Sequence, residues 1–179
     1  LLVLAAGTQV GQNILATLAG RRDRVALVAT SSVANEPALF DTDAVYLVPA
    51  TVAEPEALER RLLEIVDRER IDLVIPCRDD DVLLLASLRE RRPELAQRLL
   101  CGSAAAAEVI CDKWASHEFS VAHGLPFAAS IVANTEQARA AFVRKHGLPL
   151  VGKPRRGYAS LDVYLLHREE QVAAVLARD

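Results

Sequence analysis

Lys153 closes an apolar run, Leu148 to Lys153. It leads into Pro154-Arg155-Arg156-Gly157-Tyr158-Ala159-Ser160-Leu161-Asp162 ahead of a second extended run, Val163 to Leu166. Adjacent strands are usually joined by roughly two to five residues, and longer connections tend to carry function. Lys153, Arg155 and Arg156 concentrate positive charge in a chain whose formal charge is −3. Gly157 and Ser160 can turn backbone and hydroxyl donors toward phosphate oxygens. The same composition also suits a solvated basic turn whose lysine reaches out from a strand end. Asp112-Lys113 is a second candidate. Asp112 is a natural cap for a helix over Asp112 to His123, but a lysine in the first turn opposes the helix dipole, and a nearby anion would account for it.

Gly7-Thr8-Gln9-Val10-Gly11 follows the first apolar run and resembles a dinucleotide-binding turn, in which glycines let backbone approach a phosphate at a helix N-terminus. The third glycine of that fingerprint is missing, and the second candidate strand ends in Thr30-Ser31-Ser32 where a ribose-binding acid belongs. A purely structural tight turn is the alternative. Asp79, Asp80 and Asp81 suit a helix start better than a cation site. His117, His123, His146 and His167 lack metal-ligand spacing and read as surface or capping residues. No Ser-His-Asp order is legible. The three cysteines, Cys77, Cys101 and Cys111, fit no zinc or redox motif and read as buried free thiols.

The elements that must position these residues alternate. Leu1 to Ala6, Val25 to Ala29, Val45 to Val48 and Leu73 to Ile75 are candidate buried strands, with Leu99 to Gly102 a short last one. Val10 to Ala19, Pro55 to Arg70 and Asp79 to Arg91 are amphipathic or suitably charged helices between them. Such alternation argues for an open parallel α/β sheet whose ligands gather at the strands' carboxyl ends. After about residue 110 the pattern changes. Ala104 to Ala107 reads as a short helix, Ala128 to Val132 as a strand, Asn134 to about Lys145 as a helix ending at His146-Gly147, and Arg168 to Ala177 as a last helix.

Hydrophobic residues make up 51% and charged residues 25% of the 179 positions, the balance of a folded globular protein. No apolar run approaches the roughly 20 residues of a membrane span. The first run lacks a basic leader, so the expected setting is cytoplasmic. The acidic balance gives no reason to expect nucleic acid as a partner. Methionine is absent throughout, even at position 1, which leads us to expect part of a longer chain.

Taken in order, the segments resemble the ATP-grasp superfamily, most closely its carbamoyl phosphate synthetase large-subunit-like members, which act as carboxylate–amine ligases. The resemblance spans essentially the whole chain. It rests on Leu2-Val3-Leu4-Ala5-Ala6-Gly7-Thr8-Gln9-Val10-Gly11-Gln12-Asn13, on Asp72-Leu73-Val74-Ile75-Pro76 with Asp79, on Asp112-Lys113 and on Gly124-Leu125-Pro126. It ends with Gly147-Leu148-Pro149-Leu150-Val151-Gly152-Lys153-Pro154-Arg155-Arg156-Gly157.

The resemblance implies a Rossmann-like pre-ATP-grasp domain over residues 1–111 and a small α+β N-terminal lobe of the ATP-grasp domain over 112–179. It implies that Lys113 and Lys153 point at ATP phosphates and that Pro154 to Asp162 closes over them, with Arg155, Arg156, Gly157 and Ser160 contributing. It further implies a small carboxylate substrate activated as an acyl phosphate, and Mg2+ held by acids of a second lobe outside these residues. A homo-oligomer is compatible with it. The loop departs from the family by carrying Tyr158, Leu161 and Asp162 where glycine or serine is usual. Two other readings compete: a nicotinamide-dependent oxidoreductase domain built on Gly7 and Gly11, and a non-catalytic binding or assembly domain of the same fold.

Overall fold

The computed structural model describes residues 1–157 and 159–174, with Ala38 described by its backbone alone. The chain divides into two compact units, Leu1–Ala107 and Glu108–Asp179.

The first unit is an open parallel sheet. Strands β1 (Leu2–Val3), β2 (Val28–Ser31), β3 (Ala44–Leu47) and β4 (Val74–Ile75) lie in the order β3-β2-β1-β4. All neighbours run parallel, with Leu2 level with Val28 and Val74. Leu99 adds a single parallel bridge to Val74 where a short strand was expected. Parallel neighbours need crossovers. Helix α1 (Gln9–Leu18) joins β1 to β2, α2 (Pro55–Arg68) joins β3 to β4, and α3 (Asp79–Arg91) follows β4.

The near-continuous apolar strands are explained by burial on both faces. On one face Leu2, Leu4, Val28 and Val74 pack with Leu62, Ile65, Leu85 and Leu88 of α2 and α3. On the other, Val3 and Ala29 pack with Leu15 of α1 and with Leu27 and Leu39.

The strands are shorter than their apolar runs. The first run bends after Val3, and Ala5 takes φ 45° as the chain turns toward α1. Pairing nonetheless continues, because Leu4 N–H donates to the Ile75 carbonyl (2.9 Å) and Ala6 N–H to that of Thr30 (3.0 Å). The run from Val25 starts late as a strand because Arg24 and Val25 N–H donate back to the Arg21 carbonyl, which ties them to the turn after α1.

The second unit contains the end of α4 (Ala104–Cys111), then α5 (Lys113–Ala122), α6 (Glu136–His146), an antiparallel hairpin of β5 (Leu150–Gly152) and β6 (Tyr164–Leu166), and α7 (Glu169–Ala174). Helix α6 has the cap and stop its sequence indicates. The Thr135 hydroxyl accepts from Ala138 N–H, and Gly147 leaves the helix at φ 73°. The expected strand at Ala128 to Val132 does not form. Ala128 and Ala129 are exposed and offer no apolar face to pair behind. The last helix begins at Glu169, and the part of it expected at 175–177 lies outside the described residues. No described helix is long and apolar enough to cross a membrane.

Gly11 fixes the junction of α1 with the end of the first strand, since a Cβ there would fall 2.5 Å from the Ala6 carbonyl oxygen and 2.6 Å from its Cα. Alanine is the better helix former by ~1 kcal/mol, but the collision is with backbone, which cannot rotate away. Gly11→Ala is therefore expected to lose about 1–3 kcal/mol in urea unfolding. An unchanged or raised midpoint would show that the helix can simply lift off the strand.

Candidate functional site

At the carboxyl end of the parallel sheet, the glycine turn is already occupied. A Cβ on Gly7 would lie 1.9 Å from the Glu36 carboxyl carbon, so that side chain packs directly on the glycine. The Ser31 hydroxyl donates to the same carboxylate. Helix α1 has no acid in its first turn, and Thr8 caps it by accepting from Gly11 N–H (3.2 Å) while donating to the Ala5 carbonyl (2.8 Å). An internal carboxylate thus stands where a dinucleotide fold would seat its pyrophosphate.

Further along the same edge, α3 begins at Asp79 as expected, but Asp81 does more than start a helix. Its carboxylate is 1% exposed, accepts from Arg78 (Nη2 at 3.0 Å, Nε at 3.1 Å) and from the Thr51 hydroxyl (2.8 Å), and so has its charge matched from within. Arg78, three residues earlier, was the available clue. Burial pushes the Cys77 thiol up to about 12, which makes it inert.

The second unit builds its site around Asp112. That carboxylate caps α5 through Trp114 N–H (2.8 Å) and Ala115 N–H (3.2 Å), as its sequence position suggests. It also receives a fork from Arg155, Nη2 to one oxygen at 2.7 Å and Nε to the other at 3.2 Å. Arg156 pairs with Glu108 and stands 3.8 Å from Asp112. Lys113 completes the junction. Its backbone N–H donates to the Arg155 carbonyl (3.0 Å) and its ammonium to the carbonyls of Gly157 (3.1 Å) and Arg155 (3.4 Å).

The Asp112 side chain is 6% exposed, and its pKa is lowered, chiefly by the Arg155 hydrogen bonds to the charged form. The Ala115 and Trp114 N–H groups assist, and burial opposes.

Of the candidate residues, Lys113, Arg155, Arg156 and Gly157 are thus brought together. Lys153 and Ser160 are exposed on the hairpin's connection. The backbone of that connection is unusual. Gly157 has φ 148°, and Ala159 (53°), Ser160 (58°) and Asp162 (56°) are left-handed without being glycine. Asp162, one of the departures, accordingly keeps a glycine-like backbone, which aspartate tolerates better than most residues. Tyr158, another, lies outside the described residues.

The histidines need one correction. His117 is half-buried between Trp114 and Phe127, with ring centroids 5.0 and 5.7 Å away, and its Nδ1 is buried without a hydrogen-bond partner. Aromatic residues three and ten positions away supplied the signal. His123 and His146 lie against Phe119 and Phe142 one turn back. Among the described residues no group of three or more His, Cys, Asp or Glu side chains converges to hold a metal ion.

A parallel α/β unit followed by helices and an antiparallel hairpin matches the fold of the N-terminal part of ATP-grasp enzymes. The chain belongs to the PylC-like, N-terminal domain family, which it matches over residues 1–99. Its fold matches N5-carboxyaminoimidazole synthetase from Staphylococcus aureus complexed with ADP, with a TM-score of 0.71 and 15% identity over 99% of this chain and 45% of that one. It also matches N5-carboxyaminoimidazole ribonucleotide synthetase from Thermotoga maritima (TM-score 0.67, 20% identity, 97% and 42% coverage). An L-amino acid ligase from Bacillus licheniformis gives 0.66, 17% identity, and 98% and 41% coverage. The chain spans less than half the length of each of these proteins. No curated protein sequence matches it.

Two outcomes are expected. With Glu36 seated on Gly7, NAD(P)H should not bind the first unit at ordinary cofactor concentrations, and low-micromolar binding by calorimetry would overturn that. The second concerns pH. A carboxylate whose pKa falls on folding adds stability above its unfolded value, about 3.9, and loses it as pH drops through the lower folded value. The Asp112 pairing should therefore persist on acidification to about pH 4 and dissolve below it. A carboxyl NMR titration giving Asp112 a midpoint at or above about 3.9 would contradict the pairing.

Proposed function

We propose that residues 1–111 are a pre-ATP-grasp domain and that 112–179 supply the phosphate-facing lobe of an ATP-dependent carboxylate–amine or related ligase. The observation that carries the reading is the junction of Lys113 with the 155–157 backbone. Two cationic segments far apart in sequence meet in one unit, one on a helix N-terminus and the other on a long hairpin connection.

In this reading Lys113 and Lys153 neutralise charge on the β- and γ-phosphoryl oxygens of ATP. Gly157 N–H and the Ser160 hydroxyl donate to those oxygens, and Arg155 and Arg156 hold the connection in place. The γ-phosphoryl group passes to a substrate carboxylate, forming a P–O bond to it as the bond to ADP breaks. An amine or similar nucleophile then attacks the acyl carbon, and inorganic phosphate leaves. Positioning and charge neutralisation are most of what such a transfer asks of a protein. Magnesium normally shares that charge, but the described residues offer no cluster to hold it, so these residues are assigned no step through the metal. An ADP complex of one structural relative and the ligase named in another support the reading.

The test is calorimetric titration of ATP, with Trp114 fluorescence as a second reporter beside Lys113. One charge-assisted phosphate contact contributes roughly 1.5–3 kcal/mol, so Lys153→Ala should weaken ATP binding about tenfold or more, and more than Arg155→Ala does. Residues 1–179 alone should release no ADP over multiple turnovers. Affinity that survives Lys153→Ala would remove the phosphate assignment, and sustained turnover by residues 1–179 would place the whole apparatus within them.

A further inference from the structure

The first turn of α5 has few donors to spare. Lys113, Trp114 and Ala115 are its first three residues, and their N–H groups have no partner within the helix. Trp114 and Ala115 N–H are taken by the Asp112 carboxylate, and Lys113 N–H by the Arg155 carbonyl. An anion arriving here meets ammonium groups and the connection's own donors, not a vacant helix end. It also meets Asp112, whose charge would repel it.

Arg155 is the cation hydrogen-bonded to that charge, with Arg156 farther off at 3.8 Å. It spends two N–H donors on Asp112, while its backbone carbonyl accepts both from the Lys113 N–H and from the Lys113 ammonium. A guanidinium already forked onto a nearly buried carboxylate is poorly placed to grip phosphate as well.

We infer that Arg155 is a positioning residue that acts through Asp112, holding residues 155–157 across the start of α5 and screening the carboxylate from an anion on Lys113. Its contribution to phosphate recognition is conditional on Asp112. This rests on the phosphate reading above and deepens it by replacing a direct contact with a mediated one.

The experiment is a cycle of Arg155→Gln, Asp112→Asn and the double variant, made in residues 1–179. Asparagine caps a helix as well as aspartate does, so Asp112→Asn removes the ion pair and spares the cap. The ligand-free readout is hydrogen exchange of the Lys113 N–H, with circular dichroism as a check that α5 is intact. Each single variant should speed that exchange about tenfold or more, and the double no further than either. Unchanged exchange in the single variants, or fully additive acceleration in the double, would overturn the inference.

The second readout is affinity for ATP and for inorganic pyrophosphate. Arg155→Gln should weaken both about fivefold to tenfold, and adding Asp112→Asn should restore them to within about threefold of the Asp112→Asn level. The same loss in both backgrounds would mean that Arg155 touches the anion itself, and would sink the inference. If the unaltered protein binds neither ligand while exchange remains non-additive, the positioning role stands and the ATP reading fails.

Discussion

A carboxylate that loses nearly all contact with water must be matched donor by donor, or it costs more than its neighbours can return. Asp112 meets this condition with two helix N–H groups and an arginine fork, so two stretches of chain far apart in sequence are committed at one residue. The consequence reaches beyond the ion pair. Because Arg155 is held by its side chain, its carbonyl is fixed where Lys113 can reach it, and the hairpin connection leaves β5 in a defined direction. Remove Asp112's charge and the direction rests on the Lys113 hydrogen bonds to the Arg155 carbonyl alone.

The first unit meets the same electrostatic demand in the opposite sense. Helix α1 has no acid of its own in the first turn, and Glu36 brings negative charge across the sheet edge onto Gly7, which the helix dipole favours. A nucleotide-binding fold leaves that position for phosphate; here it is filled by the chain itself. One unit therefore closes its glycine turn with an anion, while the other gathers cations beside a helix start. That difference in sign, more than any motif, separates the two as possible phosphate sites.

What could be read from the sequence was local. Helix α3 runs from Asp79 to Arg91 as its charge order indicates, Thr135 and Gly147 bound α6, and Asp112 caps α5, because each depends on residues within a turn or two. The alternation of elements also made the parallel sheet legible. The partners that complete each site were not, since Glu36 lies 29 positions after Gly7 in number but above it in space, and Arg155 finds Asp112 across 43 residues. A basic loop looks the same in sequence whether its arginines face solvent, phosphate or a buried carboxylate. Only the fold decides, and here it gives Arg155 and Arg156 to carboxylates and leaves Lys153 exposed. The strand expected at Ala128 to Val132 failed for a related reason: an apolar run becomes a strand only where the fold buries one of its faces, and Ala128 and Ala129 are exposed.

The connection between β5 and β6 carries strain that this arrangement has to hold. Left-handed backbone at a non-glycine residue costs roughly 1–3 kcal/mol, and Ala159, Ser160 and Asp162 all adopt it. Such conformations persist where the ends of a segment are restrained. At one end the restraint is the Lys113 and Arg155 junction; at the other, the Tyr164 hydroxyl donates to the Asp162 carboxylate at 3.0 Å, beside the first paired residue of β6. Between these anchors Ala159, Ser160 and Leu161 are exposed. The left-handed conformations therefore go with restraint at the two ends, since none of Ala159, Ser160 and Asp162 is glycine.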